Sequence, residues 1–188
     1  SYSIDKSMSV YTLYDQSFVP VAGVDWEGNA FKPIRGNNLE AGVKKEWFGG
    51  RWISTVSAYS IRRENSLVTD PDPNHVVNGQ TFQAQLGETK SKGIELDITG
   101  EILKGLNVNA NYALTDSKIS KASDESTIGN ITPNTAKHTA NAWLQYRIQN
   151  GTLKGFGLMG SVQTMFDRAV GTTKESNFKN YVRTDGGL

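Results

Sequence analysis

The sequence predicts an all-β chain: an antiparallel meander of about seven to eight strands that forms part of a larger transmembrane β-barrel. Three observations carry this. Apolar and polar residues alternate, most cleanly where Ile94, Leu96 and Ile98 interleave with Glu95, Asp97 and Thr99, and successive strand side chains point to opposite faces. No long segment repeats apolar residues at three-and-four spacing, while Gly, Asn, Ser and Thr are frequent, so helices are not expected. The connections also alternate long and short along the chain. In a meander this puts the long loops at one end and the short turns at the other, the asymmetry of outer-membrane barrels.

The first strand spans about Ser7–Gln16, around the aromatic and β-branched Val10–Tyr14, with its facing open. Phe18–Asn37, with two prolines, several glycines, Trp26 and Phe31, reads as a long loop. A second strand follows, where Leu39, Ala41, Val43 and Trp47 alternate with Glu40, Gly42, Lys44 and Glu46; Lys45 is the flaw on its apolar side. After the short Trp47–Arg51 turn, a third strand runs from Arg51 to Asn65, again with its facing open. Ser66–Glu88 is a second long loop, in which Asp70-Pro-Asp-Pro-Asn74 has strong turn chemistry.

Ser91–Leu114 holds two strands joined by a short connection near Glu101–Gly105. Its second strand sets Leu106, Val108, Ala110, Tyr112 and Leu114 against Asn107, Asn109, Asn111 and Ala113. Asp116–Lys137 is the third long loop. Ala140–Ile148 alternates again, and Asn150-Gly151 signals a hairpin. Phe156–Phe166 is a seventh strand, Asp167–Asn177 a fourth loop, and Tyr181 opens an eighth strand.

The 188 residues carry a formal net charge of +1 and no cysteine. The charge offers nothing to nucleic acid, and a disulfide framework or thiolate metal site is excluded. No apolar run approaches the roughly 20 residues of a membrane helix, but barrels cross by alternation instead. An Arg or Lys near the middle of a lipid face costs about 2–4 kcal/mol, which accounts for the clean parity of the alternating strands. Lys45 lies near the short-turn end, where its stem can snorkel. Trp47, Phe48 and Trp52 beside it suit an interfacial aromatic girdle. The chain opens on Ser1 and ends inside an alternating segment at Asp185-Gly-Gly-Leu188, so it is read as a piece of a longer protein, and a missing signal says nothing about export.

Several segments together resemble the carboxy-terminal barrel of TonB-dependent outer-membrane receptors, in the ferric-siderophore (ferrichrome or hydroxamate-like) branch. They are Tyr11-Thr-Leu-Tyr-Asp-Gln-Ser-Phe18 with Pro20, then Pro33 and Gly36 leading into Leu39-Glu-Ala-Gly-Val-Lys44. Ile61–Asn65 before Asp70-Pro71, Gly79, Gly87, and Ser91-Lys-Gly-Ile-Glu95 follow. Tyr112 with Thr115-Asp116, Pro133 with Lys137-His138, and Trp143 with Tyr146 complete the set, in family order over nearly the whole chain. Lys92 departs from the arginine usual before Gly-x-Glu; a bidentate role would be lost and a simple charge role kept. The resemblance implies a 22-stranded plugged barrel in the outer membrane of a Gram-negative bacterium. This chain (1–188) would cover about a third of it, without the plug domain or the closing strands. On the same resemblance, lipid would surround it, a ferric siderophore would be the ligand, and TonB would engage the missing amino-terminal region. Such a piece leaves two open edges and is not expected to fold alone.

No catalytic or metal site is read. His75 and His138 are the only histidines, and neither has metal-ligand spacing. Asp70–Asn74 could offer oxygens to calcium, but two prolines favour a turn. Gly155–Gly160 echoes a nucleotide loop without its strand-to-helix context; small residues that admit a plug or a neighbour suit it better. Glu95 and Asp97 read as lumen-facing charges. The ligand-binding candidates are Trp26 and Phe31 in the first long loop, with Arg35 nearby to meet an anionic chelate; the competing reading is that these aromatics only pack the loop. No cofactor is expected, since iron would enter only inside its siderophore. The alternatives are another outer-membrane barrel (a porin, or a cobalamin or sugar receptor) and a soluble β-sandwich binding module.

Overall fold

Nine strands join one antiparallel sheet in the computed structural model, which describes residues 1–171 and 178–188. They are β1 (Tyr2–Ser3), β2 (Met8–Val19), β3 (Ile34–Trp47), β4 (Trp52–Thr69), β7 (Gln83–Leu103), β8 (Leu106–Lys121), β9 (Ala136–Arg147), β10 (Gly157–Arg168) and β11 (Tyr181–Gly187). Each main strand pairs with the next in sequence. A separate hairpin, β5 (Val76–Val77) with β6 (Gln80–Thr81), sits in the connection between β4 and β7. A single 3₁₀ turn, Glu125–Thr127, lies between β8 and β9.

Antiparallel partners lie on the same face, so the register settles the facing of every strand. One row runs Val10, Val43, Val56, Leu96, Tyr112, Ala140. The next runs Thr12, Ala41, Ala58, Ile94, Leu114, His138. The opposite face carries Glu40, Glu95, Asp97, Asn109, Asn111 and Asn141. The first and third strands, ambiguous in sequence, therefore turn Val10, Trp52, Val56 and Ala58 to the apolar side, and Tyr11, Tyr59 and Ile61 to the polar side.

Among the described residues nothing covers the apolar face. Among the described residues only Val108 and Ala169 are buried hydrophobics, while Ile94 is 52% and Leu144 45% exposed. A soluble sandwich would bury this face against a second sheet, and here the second sheet is a two-residue-per-strand hairpin. An apolar surface this continuous requires lipid. At its lower margin Trp47 and Trp52 stack at 5.0 Å, with Trp47 Nε1 donating to Ser54 Oγ at 2.9 Å. Lys45 bends to the same margin: its Nζ donates to Ser7 Oγ at 2.6 Å and lies 3.7 Å from Asp5.

The strands outrun their sequence reading at the upper end. The first continues to Val19, the second starts at Ile34 rather than Leu39, and the third reaches Thr69. β7 begins at Gln83 and β8 ends at Lys121, inside segments read as loop. Both faces are wet there, so no alternation marks them. The true long connections are residues 20–33, 70–82, 122–135 and 169–180; of the last, 172–177 lie outside the described residues. The short turns are 48–51 and 104–105. Residues 148–156 form a wider hairpin than Asn150-Gly151 implies, closed where Gly155 N–H donates to the Ile148 carbonyl and Ile148 N–H to that of Phe156, both at 2.9 Å.

Candidate functional site

The long connections meet at one end of the sheet, and two of them build a cleft. Trp26, from residues 20–33, stacks on His75 at 4.7 Å and 13°. It also takes the edge of Phe82 at 5.1 Å. Phe31 lies over Gly23, where a Cβ would come within 3.1 Å of its ring. The cleft encloses about 630 Å³ and is lined by Trp26, Phe31, Lys32, His75, Asp25 and Asp70 among others. Gln85 fastens its floor: the amide accepts from Lys32 N–H at 2.7 Å and donates to the Lys32 carbonyl at 2.5 Å. Asn65 adds a donation to the Pro33 carbonyl at 3.1 Å.

Of the three candidates from sequence, the structure brings Trp26 and Phe31 together. Arg35 is a correction: it lies in β3, opposite Phe18 and Glu64, and lines a separate hollow with Gln16 and Asn37. Ile34–Asn38 shows no alternation, so the sequence alone extends the loop over Arg35. His75, Phe82 and Gln85 were missed. They come from the next loop, and no local pattern could show that the two loops touch.

Asp70–Asn74 is a turn held by its own side chains. Asp70 accepts from Asp72 N–H at 3.0 Å and contacts His75 Nδ1 at 2.9 Å; Asp72 accepts from Asn74 N–H at 2.9 Å. The Asp72 amide, then His75, holds the Asp70 carboxyl below its usual range. A depressed carboxylate adds stability above its unfolded pKa of ~3.9 and loses it as pH falls through the lower folded value. The protection of the Asp72 amide, its exchange rate relative to the intrinsic rate at the same pH, should therefore fall below about pH 4, while β-sheet amides stay protected. An equal loss of protection in both would refute this.

Below the loops, the polar face is a hydrogen-bonded wall. Tyr11 donates to Glu40 at 2.6 Å. Tyr59 Oη meets Thr115 Oγ1 at 2.9 Å, and Ser91 meets Ser117 at 2.7 Å. Asn141 donates to Asn111 at 2.9 Å. The Tyr59 ring crosses Gly93, the glycine of Lys92-Gly-Ile-Glu95. Gly157 faces the lumen and Gly160 the lipid, and a Cβ at either would find its nearest atom 3.8 Å away. His138, read as a boundary residue, lies within β9 and faces outward beside Leu114, 2.8 Å from Tyr112 Oη in the neighbouring row.

Comparison with known proteins agrees with this architecture. The family model described as TonB dependent receptor-like, beta-barrel matches residues 1–187. The ferrichrome outer membrane transporter/phage receptor of Escherichia coli K12 is 29% identical over 158 residues, covering 84% of this chain and 20% of that protein. The ferrioxamine B receptor of Salmonella typhimurium is 29% identical over 162 residues, covering 86% and 22%. The crystal structure of the ferric preacinetobactin receptor of Acinetobacter baumannii superposes with a TM-score of 0.81 at 19% identity, over 97% of this chain and 27% of that one. The chain thus spans about a fifth to a quarter of the curated relatives it matches. These relatives are transport receptors. With a full-length family match and a sheet apolar outside and polar inside, the chain belongs to the TonB-dependent receptor β-barrel family of the outer membrane.

Proposed function

We propose that this chain is a wall-and-loop segment of a receptor that imports ferric siderophores, with energy delivered through TonB. The aromatic cleft at the long-loop end, directly above the apolar band, carries the reading: a compact chelate arriving from outside meets Trp26, Phe31 and His75 first. The names of the ferrichrome and ferrioxamine B relatives support the ligand class. In this reading iron enters only as part of the chelate, and the receptor forms and breaks no bonds in it. A plug elsewhere in the protein fills the lumen and engages TonB. Lys32 and His75 take the polar role first given to Arg35.

The test uses the whole gene under iron limitation, with trihydroxamate chelates as sole iron source. Deletion should abolish growth and radio-iron uptake. In the restored receptor, Trp26→Ala should weaken chelate binding roughly tenfold, as for an aromatic anchor in a binding patch, and Arg35→Ala should leave it unchanged. Undiminished uptake after deletion would reject the assignment.

A further inference from the structure

The loop cleft has a sign as well as a shape. Its lining holds three carboxylates, Asp25, Glu27 and Asp70, against one amine, that of Lys32. Asp70 is met by His75 at 2.9 Å. Among the described residues neither Asp25 nor Glu27 has a cationic partner, and Lys32 forms no ion pair with them.

These two carboxylates are held in place at a hairpin tip. Val24 bridges Ala30, Asp25 N–H donates to the Asn29 carbonyl at 3.0 Å, and Gly28 N–H donates to the Asp25 carbonyl at 3.1 Å. Asn29 then reaches back. Its N–H donates to the Asp25 carboxylate at 2.8 Å, and its Nδ2 donates to Asp25 and to Glu27 at 3.1 Å each. The Asn29 amide holds the Asp25 carboxyl below its usual range. Two carboxylates thus share one side-chain nitrogen, with Trp26 between them in the chain and its ring in the cleft. Like charges held this close repel, and a cation beside them relieves the repulsion.

The charge of a ferric chelate follows from its ligating groups. Three hydroxamates, each a monoanion, cancel the ferric ion, whereas three catecholates, each a dianion, leave a trianion. A trihydroxamate whose arm ends in a primary amine is a cation at neutral pH, as lysine is. The aromatic wall offers contact area to all of these, and the acidic tip separates them. Resting on the siderophore reading above, we propose that Asp25 and Glu27 select the chelate by charge: the cleft prefers a ferric trihydroxamate with a free ammonium to its neutral form, and turns away trianionic tris-catecholates. Lys32, outnumbered in charge, remains a donor to hydroxamate oxygens.

The experiment uses the full purified receptor and two linear ferric trihydroxamates that differ only at the terminus, a primary amine in one and its N-acetyl amide in the other. Affinities are measured for the wild type and for Asp25→Asn/Glu27→Gln, whose amide oxygens can still accept from Asn29. An exposed carboxylate is worth up to about fivefold in affinity for a cation. The wild type should therefore favour the amine form about tenfold, and the double variant should bind both forms as the wild type binds the N-acetyl form. Salt at about 1 M, where screening acts within ~3 Å, should also erase the preference. A ferric tris-catecholate should bind the double variant roughly tenfold more tightly than the wild type. Equal wild-type affinity for the two trihydroxamates overturns charge selection. So does an equal loss of both in the double variant, which would mean that the carboxylates only shape the loop. Binding of neither trihydroxamate to the wild type would instead overturn the siderophore reading itself, and this selection with it.

Discussion

Leu96→Arg in the intact receptor is expected to deplete the assembled barrel from the outer membrane, while Asn111→Arg leaves it near the wild-type level. Leu96 is four residues from Gly100, which pairs with Trp52 in the lower aromatic row, and four from Lys92, the first charged residue on the same face at the other end of the apolar rows. It is therefore at mid-band, between Val56 and Tyr112 on the lipid side. A guanidinium there costs about 2–4 kcal/mol, roughly thirty-fold to nearly a thousand-fold in the folded population. Asn111 lies one register step away, opposite Asp97 and Asn141, but on the polar face. An arginine there gains a carboxylate neighbour in hydrated surroundings, worth within about 1 kcal/mol either way. Heat-modifiable mobility of membrane fractions reads both. Equal recovery of the two variants would mean that the apolar rows do not face lipid.

The same contrast explains what could be read from the sequence. Where one face meets lipid and the other the lumen, opposite solvents force a period of two, and Ile94–Ile98 and Leu106–Leu114 were legible as strands with the right facing. β4 was harder because its luminal side carries Ile53, Tyr59 and Ile61, so both parities hold apolar residues; only pairing with β3 and β7 decides between them. Above the band both faces are wet and the constraint disappears. Gly36-Asn37-Asn38 looks like turn chemistry but pairs residue for residue with Asp15–Ser17. Arg35 was misplaced for this reason. The cleft was half legible: Trp26 and Phe31 stood out as loop aromatics, but the Trp26–His75 stack joins residues far apart in sequence, and no periodicity encodes it.

A glycine pair separates rigid from yielding packing on the luminal wall. Gly42 and Gly93 both lie under a tyrosine ring, and at each a Cβ would come within 2.6 Å of tyrosine atoms. At Gly42 the three nearest atoms all belong to the Tyr11 side chain. That ring can swing aside at the loss of one hydrogen bond, to the Glu40 carboxylate. At Gly93 the Cβ would also lie 2.5 Å from the Leu114 carbonyl oxygen, and that backbone is held in the β7–β8 ladder. Gly93→Ala must therefore displace a strand as well as Tyr59 and its contact to Thr115. Overpacking of this kind costs about 1–3 kcal/mol, and Gly93→Val should exceed it. Unfolding of the purified receptor in denaturant should rank Gly93→Ala as clearly worse than Gly42→Ala. Second-site changes sharpen the distinction. Tyr11→Ala should restore most of the stability that Gly42→Ala removes beyond the loss of Tyr11 itself, because the three atoms nearest that Cβ are all its own. Tyr59→Ala should fail to rescue Gly93→Ala, because the Leu114 carbonyl remains. Rescue of both, or of neither, would contradict the assignment of backbone as the obstacle at Gly93, and with it the reason a glycine stands inside Lys92-Gly-Ile-Glu95.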